Sequence, residues 1–400
     1  MVLVRPRARS AVTWLDLPED TGFGLANLPY GVFSGRGRIR RTGIAVGDAV
    51  LDLGGLTEDP LHLSGSLNEL MALGPQMWRE LREQVTDWLT QPSCRRIVEP
   101  HLIPRAEVRM HRPFEVADYV DFYSSQHHAE NLGRILRPGT PPLPANWKHL
   151  PVGYHGRAGT VDVSGTPVVR PCGQVGAGDF GPSRRLDIEA EVGFVVGTPT
   201  ELGTRVPVEA FAEHVFGVCL VNDWSARDLQ AWEYVPLGPF LGKSFLTSVS
   251  PWVVPLAALE AARVAPPERD VPLQPYLADA GSPWGIDLAL EVRLNGEVVS
   301  RPPFASMYWT PAQQLAHLTV NGAALRTGDL FASGTVSGPS RDQRGSLIEL
   351  CEDGPITLAD GSTRTFLEDG DVVTITATAP GGDGSRISLG EVTGRVEPAR

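Results

Sequence analysis

The sequence predicts a mainly β protein in two unequal parts, and three observations carry that expectation. Among 400 residues there are 43 glycines and 35 prolines, a turn-rich composition that suits many short strands. Short apolar or alternating runs recur between Gly/Pro loops, with few amphipathic helical stretches among them. The chain is also longer than one small core usually organises.

In chain order, strand-like runs at Arg38–Val46 and Ala49–Leu53 flank a tight Val46-Gly47-Asp48 turn, and helices are expected at Ser66–Ala72 and Pro75–Thr90. Arg109–Val116, interrupted by Pro113, reads as a linker that closes the first module. Beyond Asp118, strands are expected at Pro167–Arg170, Leu186–Val196, Val215–Asn222, Ser248–Val254, Asp287–Leu294, Gly345–Leu350 and Asp371–Thr378. Helices are brief, at Ser125–Leu136, Ser225–Trp232 and Pro311–Leu318. A doubly wound parallel sheet would need a helix after each strand, so that class is set aside.

The formal net charge of −12 argues against a nucleic-acid partner, whose phosphates need basic patches. It leaves room for a small anionic substrate, because arginines can reverse the field inside a cleft. No apolar run approaches the roughly 18 residues of a membrane span, and Met1-Val2-Leu3-Val4-Arg5 lacks a signal-peptide pattern. No membrane partner and a cytoplasmic location are therefore expected. The four cysteines, Cys94, Cys172, Cys219 and Cys351, form no Cys-x-x-Cys pair and read as inert thiols.

Two motif matches fail on context. Gly176-Ala177-Gly178-Asp179-Phe180-Gly181 fits a dinucleotide fingerprint but opens no helix, and it reads as a mobile loop. Gly242-Lys243-Ser244 resembles the end of a phosphate loop, yet Leu237 stands where the first glycine belongs.

The carboxylates are more informative. Asp187, Glu189 and Glu191 alternate with Leu186, Ile188, Ala190 and Val192, so a continuous strand would put all three acids on one face. Neighbours on that face are roughly 6–7 Å apart. They repel by about 2 kcal/mol at an effective dielectric near 20. A solvated face and a metal site both remain open on spacing alone. Asp223 in Asn222-Asp223-Trp224-Ser225 and Asp121 in Tyr119-Val120-Asp121-Phe122-Tyr123 add two acids at the ends of apolar runs. Asp228 has a structural task in a Ser225-x-x-Asp228 capping box. Oxygen-only ligands suit Ca²⁺, Mg²⁺ or Mn²⁺ rather than zinc. His127 and His128 fall in the first turn of an expected helix, whose positive end favours a neutral imidazole able to act as base. Arg227, Gln230, Tyr234, Lys243 and Thr247 crowd the stretch that follows Asn222, where cations and amides can hold an oxyanion.

These segments carry a close resemblance to the fumarylacetoacetate hydrolase family. The matching motifs are Asp121-Phe122-Tyr123-Ser124-Ser125, Asn146 through Arg157, Asn222 through Asp228, Trp232 through Phe245, and Ala332 through Pro339. The resemblance implies an SH3-like β-barrel over residues 1–117 and a catalytic mixed β-sandwich roll over residues 118–400, in a homodimer. It implies hydrolysis of a carbon–carbon bond in 4-fumarylacetoacetate, the last step of tyrosine and phenylalanine catabolism, or a sister reaction on acylpyruvates and related diketo acids. By motif, Asp121, Glu189, Glu191 and Asp223 would hold Ca²⁺, with Mg²⁺ an alternative near Asp223, Lys243 and Thr247; Asp187 falls outside the set. His128 would be the general base, oriented by Glu349, with Arg227, Gln230 and Lys243 on the oxyanion. Tyr123, Arg137, Tyr154, Tyr234 and Thr335 would bind the substrate. His127 and Leu246 depart from the family pattern, and Leu246 is expected to tighten the wall beside Lys243.

Overall fold

The computed structural model describes residues 13–18, 21–35, 37, 39–279, 281 and 283–400. Met1–Arg5 and Arg38 lie outside the described residues. The main sheet runs through Leu102–Pro104, Ala49–Asp52, Arg41–Val46, Tyr30–Ser34, Trp252–Pro255, Val215–Asp223, Ala190–Val196, Leu330–Ala332, Tyr119–Phe122 and Gly153–His155. A second sheet orders Glu297–Ser300, Ala289–Leu294, Val372–Pro380, Arg386–Glu397 and Val168–Val169. The fold is mainly β, as composition and turn density predict.

Val215–Asp223 and Ala190–Val196 are buried along their whole length, because both faces of the central sheet are covered. Strand periodicity divides their side chains between two cores. Val192, Phe194, Val218 and Leu220 face a core shared with Leu290, Val292, Ile375 and Leu389 of the second sheet. Val195, Phe216, Cys219 and Val221 face another, shared with Tyr30, Val32, Ile44 and Val85. The N-terminal strands therefore enter the central sheet directly, through Tyr30↔Val253 and Gly31↔Trp252.

Several expected elements change. Arg109–His111, read as linker, is a strand against Val32–Ser34. The run Leu186–Val196 breaks at Ile188-Glu189, where Glu189 N donates to Asn222 Oδ1 at 3.2 Å and Ala190 N to Gly345 O at 2.9 Å. Gly345–Leu350, expected as a strand, holds a short helix, Leu347–Leu350, whose first N–H groups are taken by the Asp187 carboxylate. The helix near 227 starts at Arg227 with no side-chain cap. Ser225 instead donates to Asp223 O at 3.0 Å, and Asp228 accepts from Ser183 Oγ at 2.6 Å and Arg184 N at 2.7 Å. The glycine-rich 176–181 stretch is the tip of a hairpin between Cys172–Gly176 and Asp179–Pro182, not an open loop. Ser248–Val254 divides into Thr247–Val249 and Trp252–Pro255.

Candidate active site

A cavity of about 360 Å³ opens between Tyr119–Phe122, the helix Gln126–Leu136, the break at Glu189 and the helix Arg227–Glu233. Parallel pairing of Tyr119–Phe122 with Leu330–Ala332 brings Asp121 opposite Ala332 and sets Gly334 and Thr335 on the wall. Gly334 has φ +76°, and a Cβ there would lie 2.1 Å from Phe122 O, so the loop can pass this close only as glycine. Gly156 is constrained likewise, since its Cβ would fall 2.3 Å from the Tyr119 ring.

Beside the cavity, Asp121, Glu189, Glu191 and Asp223 converge, each offering one oxygen within 4.8 Å of the others, and of the four Asp121 and Glu189 line it. All four are buried. Asp121 Oδ1 and both Glu191 oxygens find no hydrogen-bond partner among the described residues. Unpaired buried carboxylates are costly without a cation or a proton, so the donor set fits a hard divalent metal. Burial, then Asp223, pushes the Asp121 carboxyl well up, and burial, then Asp121, does the same to Glu191. Burial also raises Asp223, against the pull of Lys243. Glu189 goes the other way: burial would lift it, but Lys243, Arg227 and His128 outweigh that and hold it ionised.

Asp187 stands apart from the cluster. The strand break turns it toward Arg227, whose Nε it accepts at 2.8 Å. Arg227 Nη1 also reaches Glu189 at 2.8 Å and Gln230 Oε1 at 3.1 Å, while its buried Nη2 has no partner among the described residues. Lys243 Nζ bridges Glu189 and Asp223, lying 2.7 Å from the latter. Burial opposes its charge, yet those two acids hold the ammonium protonated. It therefore offers charge rather than a lone pair, and a cation near Asp223 would take the Thr247 hydroxyl, which donates to Asp223 Oδ1 at 2.9 Å. Tyr154 donates to Asp223 Oδ2 at 3.2 Å.

His128, buried at 3% exposure, has Nδ1 2.7 Å from Glu349 Oε2 and Nε2 4.0 Å from Glu189. Burial would raise Glu349, but His128 and hydrogen bonds from His128, Ser346 and Asn131 bring it below the usual carboxylate range. A carboxylate on Nδ1 makes that nitrogen the donor and leaves the Nε2 lone pair toward the cavity. Tyr123 packs edge-on against the imidazole, ring centroids 5.3 Å apart.

Arg137, Gln230, Tyr234 and Thr335 also line the cavity, and the buried Thr335 hydroxyl has no partner among the described residues. Glu349, Glu191, Asp223 and Thr247 do not line this cavity: Glu349 holds His128 through Nδ1, and Asp223 and Thr247 line a smaller cavity that shares Tyr154, Pro239 and Lys243 with it. Leu246 is packed in the main core rather than in the cavity wall, so it does not tighten the pocket as expected. No role was expected of Asn131, Ser337 and Ser346 around Glu349, or of Leu237 and Pro239 at the rim; Ser337, Leu237 and Pro239 lie inside the matching motifs, whereas no spacing signal marks Asn131 and Ser346.

A mainly β fold with a histidine–carboxylate pair beside a buried acid cluster that could bind a divalent metal is the arrangement of a hydrolase. The model described as fumarylacetoacetate (FAA) hydrolase C-terminal matches residues 118–397, and that described as fumarylacetoacetase N-terminal matches residues 26–113. The chain belongs to the fumarylacetoacetate hydrolase family. It is 45% identical over 417 residues to fumarylacetoacetase of Homo sapiens, covering 97% of this chain and 99% of that one. With fumarylacetoacetase of Arabidopsis thaliana the figures are 42% over 419 residues, 97% and 98%. A solved fumarylacetoacetate hydrolase from psychrophilic Exiguobacterium antarcticum shares the fold with a TM-score of 0.57 at 19% identity, covering 93% of this chain and all (100%) of that one. Maleylpyruvate hydrolase from Sphingobium.sp SYK-6 does so with a TM-score of 0.54 at 18% identity and the same coverage, 93% and 100%.

Proposed function

We propose that the protein hydrolyses the carbon–carbon bond of 4-fumarylacetoacetate to fumarate and acetoacetate, the last step of tyrosine and phenylalanine catabolism. The observation that carries the proposal is one cavity shared by the His128–Glu349 pair and the Asp121–Glu189 side of the acid cluster. Relatives at 40–46% identity bear the name of that activity. An acylpyruvate or other diketo-acid hydrolase is the alternative; the match of residues 26–113 to the fumarylacetoacetase N-terminal model favours the first reading.

Asp121, Glu189, Glu191 and Asp223 would hold Ca²⁺, with Mg²⁺ as the alternative ion. Bound there, the ion would supply Lewis-acid polarisation of the diketone oxygens and charge for the departing enolate. His128 Nε2 takes a proton from water, and Glu349 stabilises the imidazolium from the Nδ1 side. The resulting hydroxide adds to the ketone beside the double bond. Arg227 Nη2, the Gln230 amide and Lys243 meet the negative oxygen as it forms. Collapse breaks the bond to the methylene carbon, and His128 returns its proton to that carbon to complete acetoacetate. Arg137, Tyr123, Tyr154, Tyr234 and Thr335 orient the substrate and its carboxylates.

Residues 1–117 are read as an SH3-like barrel and 118–400 as the catalytic roll, a division supported by the family matches at 26–113 and 118–397. A cytoplasmic homodimer is part of the same proposal. It is supported by four unpaired cysteines, which suit a reducing compartment, and by exposed apolar side chains such as Phe180 and Leu237. Light scattering of the purified protein tests the dimer. For the reaction, adding protein and Ca²⁺ or Mg²⁺ to fumarylacetoacetate is expected to abolish the substrate's absorbance. Cleavage of acylpyruvates with no loss of fumarylacetoacetate would sink the proposal in favour of the alternative.

A further inference from the structure

We infer that Asn131 is a positioning residue for the base, acting through Glu349, and that Arg134 sets the orientation of its amide. The inference rests on the proposed His128–Glu349 pair. Glu349 is fully buried and its two oxygens are used differently. Oε2 takes His128 Nδ1 at 2.7 Å, Ser346 Oγ at 2.6 Å and Ser337 Oγ at 3.0 Å. Oε1 has one side-chain donor among the described residues, Asn131 Nδ2 at 2.8 Å.

Three donors on one oxygen and one on the other leave rotation of the carboxylate about its own axis to Asn131. Without that bond, Oε1 is a buried anionic oxygen lacking a side-chain donor, and the group can turn away from the imidazole. Asn131 is three residues after His128 on the helix Gln126–Leu136, so base and clamp share one helical face and move together. Asn131 Oδ1 in turn accepts from Arg134, a further three residues along. A guanidinium only donates, so its partner must be the amide oxygen, which directs the NH₂ group at Glu349. Arg134 is half exposed, its side chain at 51%, so the chain of contacts runs from solvent to the base.

Asn131→Ala is expected to lower kcat about 10- to 100-fold, as for a lost hydrogen bond to a charged group, with KM moved less than about two-fold. In a Glu349→Gln background the same substitution should cost less than about two-fold, because the group it serves is already gone. Arg134→Met, a surface change that leaves the fold intact, should lower kcat about three- to ten-fold with KM unchanged, a loss smaller than that of the bond it only orients. An Asn131→Ala enzyme with normal kcat, or one whose loss is the same in both backgrounds, overturns the inference. So does an unaltered kcat in Arg134→Met, which decides the matter if Asn131→Ala does not fold. If Glu349→Gln itself keeps full kcat, the base assignment has failed instead.

Discussion

Asp187 is tied to Arg227, accepting the guanidinium Nε at 2.8 Å, while the same carboxylate caps the helix that bears Glu349 through Leu347 N at 2.7 Å and Ile348 N at 3.2 Å. An acid outside the four-carboxylate cluster thus holds together Arg227, the proposed oxyanion donor, and the helix of Glu349, the proposed partner of the base. Asp187→Ala would leave Arg227 buried beside one acid fewer. Loss of a buried ion-pair partner costs about 3–5 kcal/mol, so a fall in thermal midpoint together with a fall in kcat is expected. A variant with normal stability and turnover would show that the pairing is dispensable.

Removing the base should separate chemistry from metal binding. His128→Ala is expected to lower kcat by about 10²- to 10⁴-fold, the usual range for a general base. Calcium binding measured by calorimetry should be retained, since the four acids are untouched. Retained turnover would place the base elsewhere, with His127 the first residue to replace.

Metal removal should leave a pH-dependent weakness. Asp121 and Glu191 have raised pKa values in the metal-free fold, so the folded protein holds protons that the unfolded chain releases above its ordinary values of 3.8 and 4.5. Stability of the stripped protein therefore falls as pH rises from that range through the raised values. Saturating Ca²⁺ is expected to remove the slope and, on binding at neutral pH, to release protons. Thermal melts from pH 5 to 8, with and without chelator, check the first part; calorimetry in two buffers of different ionisation heat checks the second. Parallel melt curves would show that the acids are not the source.

Lys243 should behave as a resident countercharge. Lys243→Met leaves Glu189 and Asp223 facing each other with one cation fewer. The metal-free variant is expected to lose about 3–5 kcal/mol, and the metal-loaded variant distinctly less, because a bound cation neutralises the same oxygens. Equal losses with and without metal, read by denaturant unfolding, would contradict this.

Legibility in the sequence follows the range of the contact that decides each feature. Glu189 and Glu191 could be seen because they alternate with aliphatic residues in the sequence, although only Glu191 lies on the central strand and Glu189 sits in the break before it. Asp187 could not be told from them by spacing, because the break at Ile188-Glu189 depends on Asn222 and Gly345, distant in the chain. The Gly345–Leu350 run satisfies either period. Its helical outcome depends on the Asp187 carboxylate, 160 residues away. Arg109–His111 looked like linker since its partner strand at Val32–Ser34 sits far upstream. The helices Gly74–Thr90 and Gln126–Leu136 were legible because local amphipathic pattern is enough to specify them. Asn131, Ser337 and Ser346 carry no such pattern; folding alone supplies their common partner.

The joint at Tyr30 and Val253 has a bearing on how the molecule fails. The N-terminal strands and the strand carrying Asp223 share a core, with Val32 and Ile44 on one side and Phe216 and Val221 on the other. A cavity-forming substitution at Ile44 or Val32 touches none of the residues that line the cavity, yet it weakens a core that the strand Val215–Asp223 helps to build. Such a lesion would be felt in cells as scarcity, with fewer surviving molecules each turning over normally, and it would respond to lower temperature or a stabilising ligand rather than to more substrate.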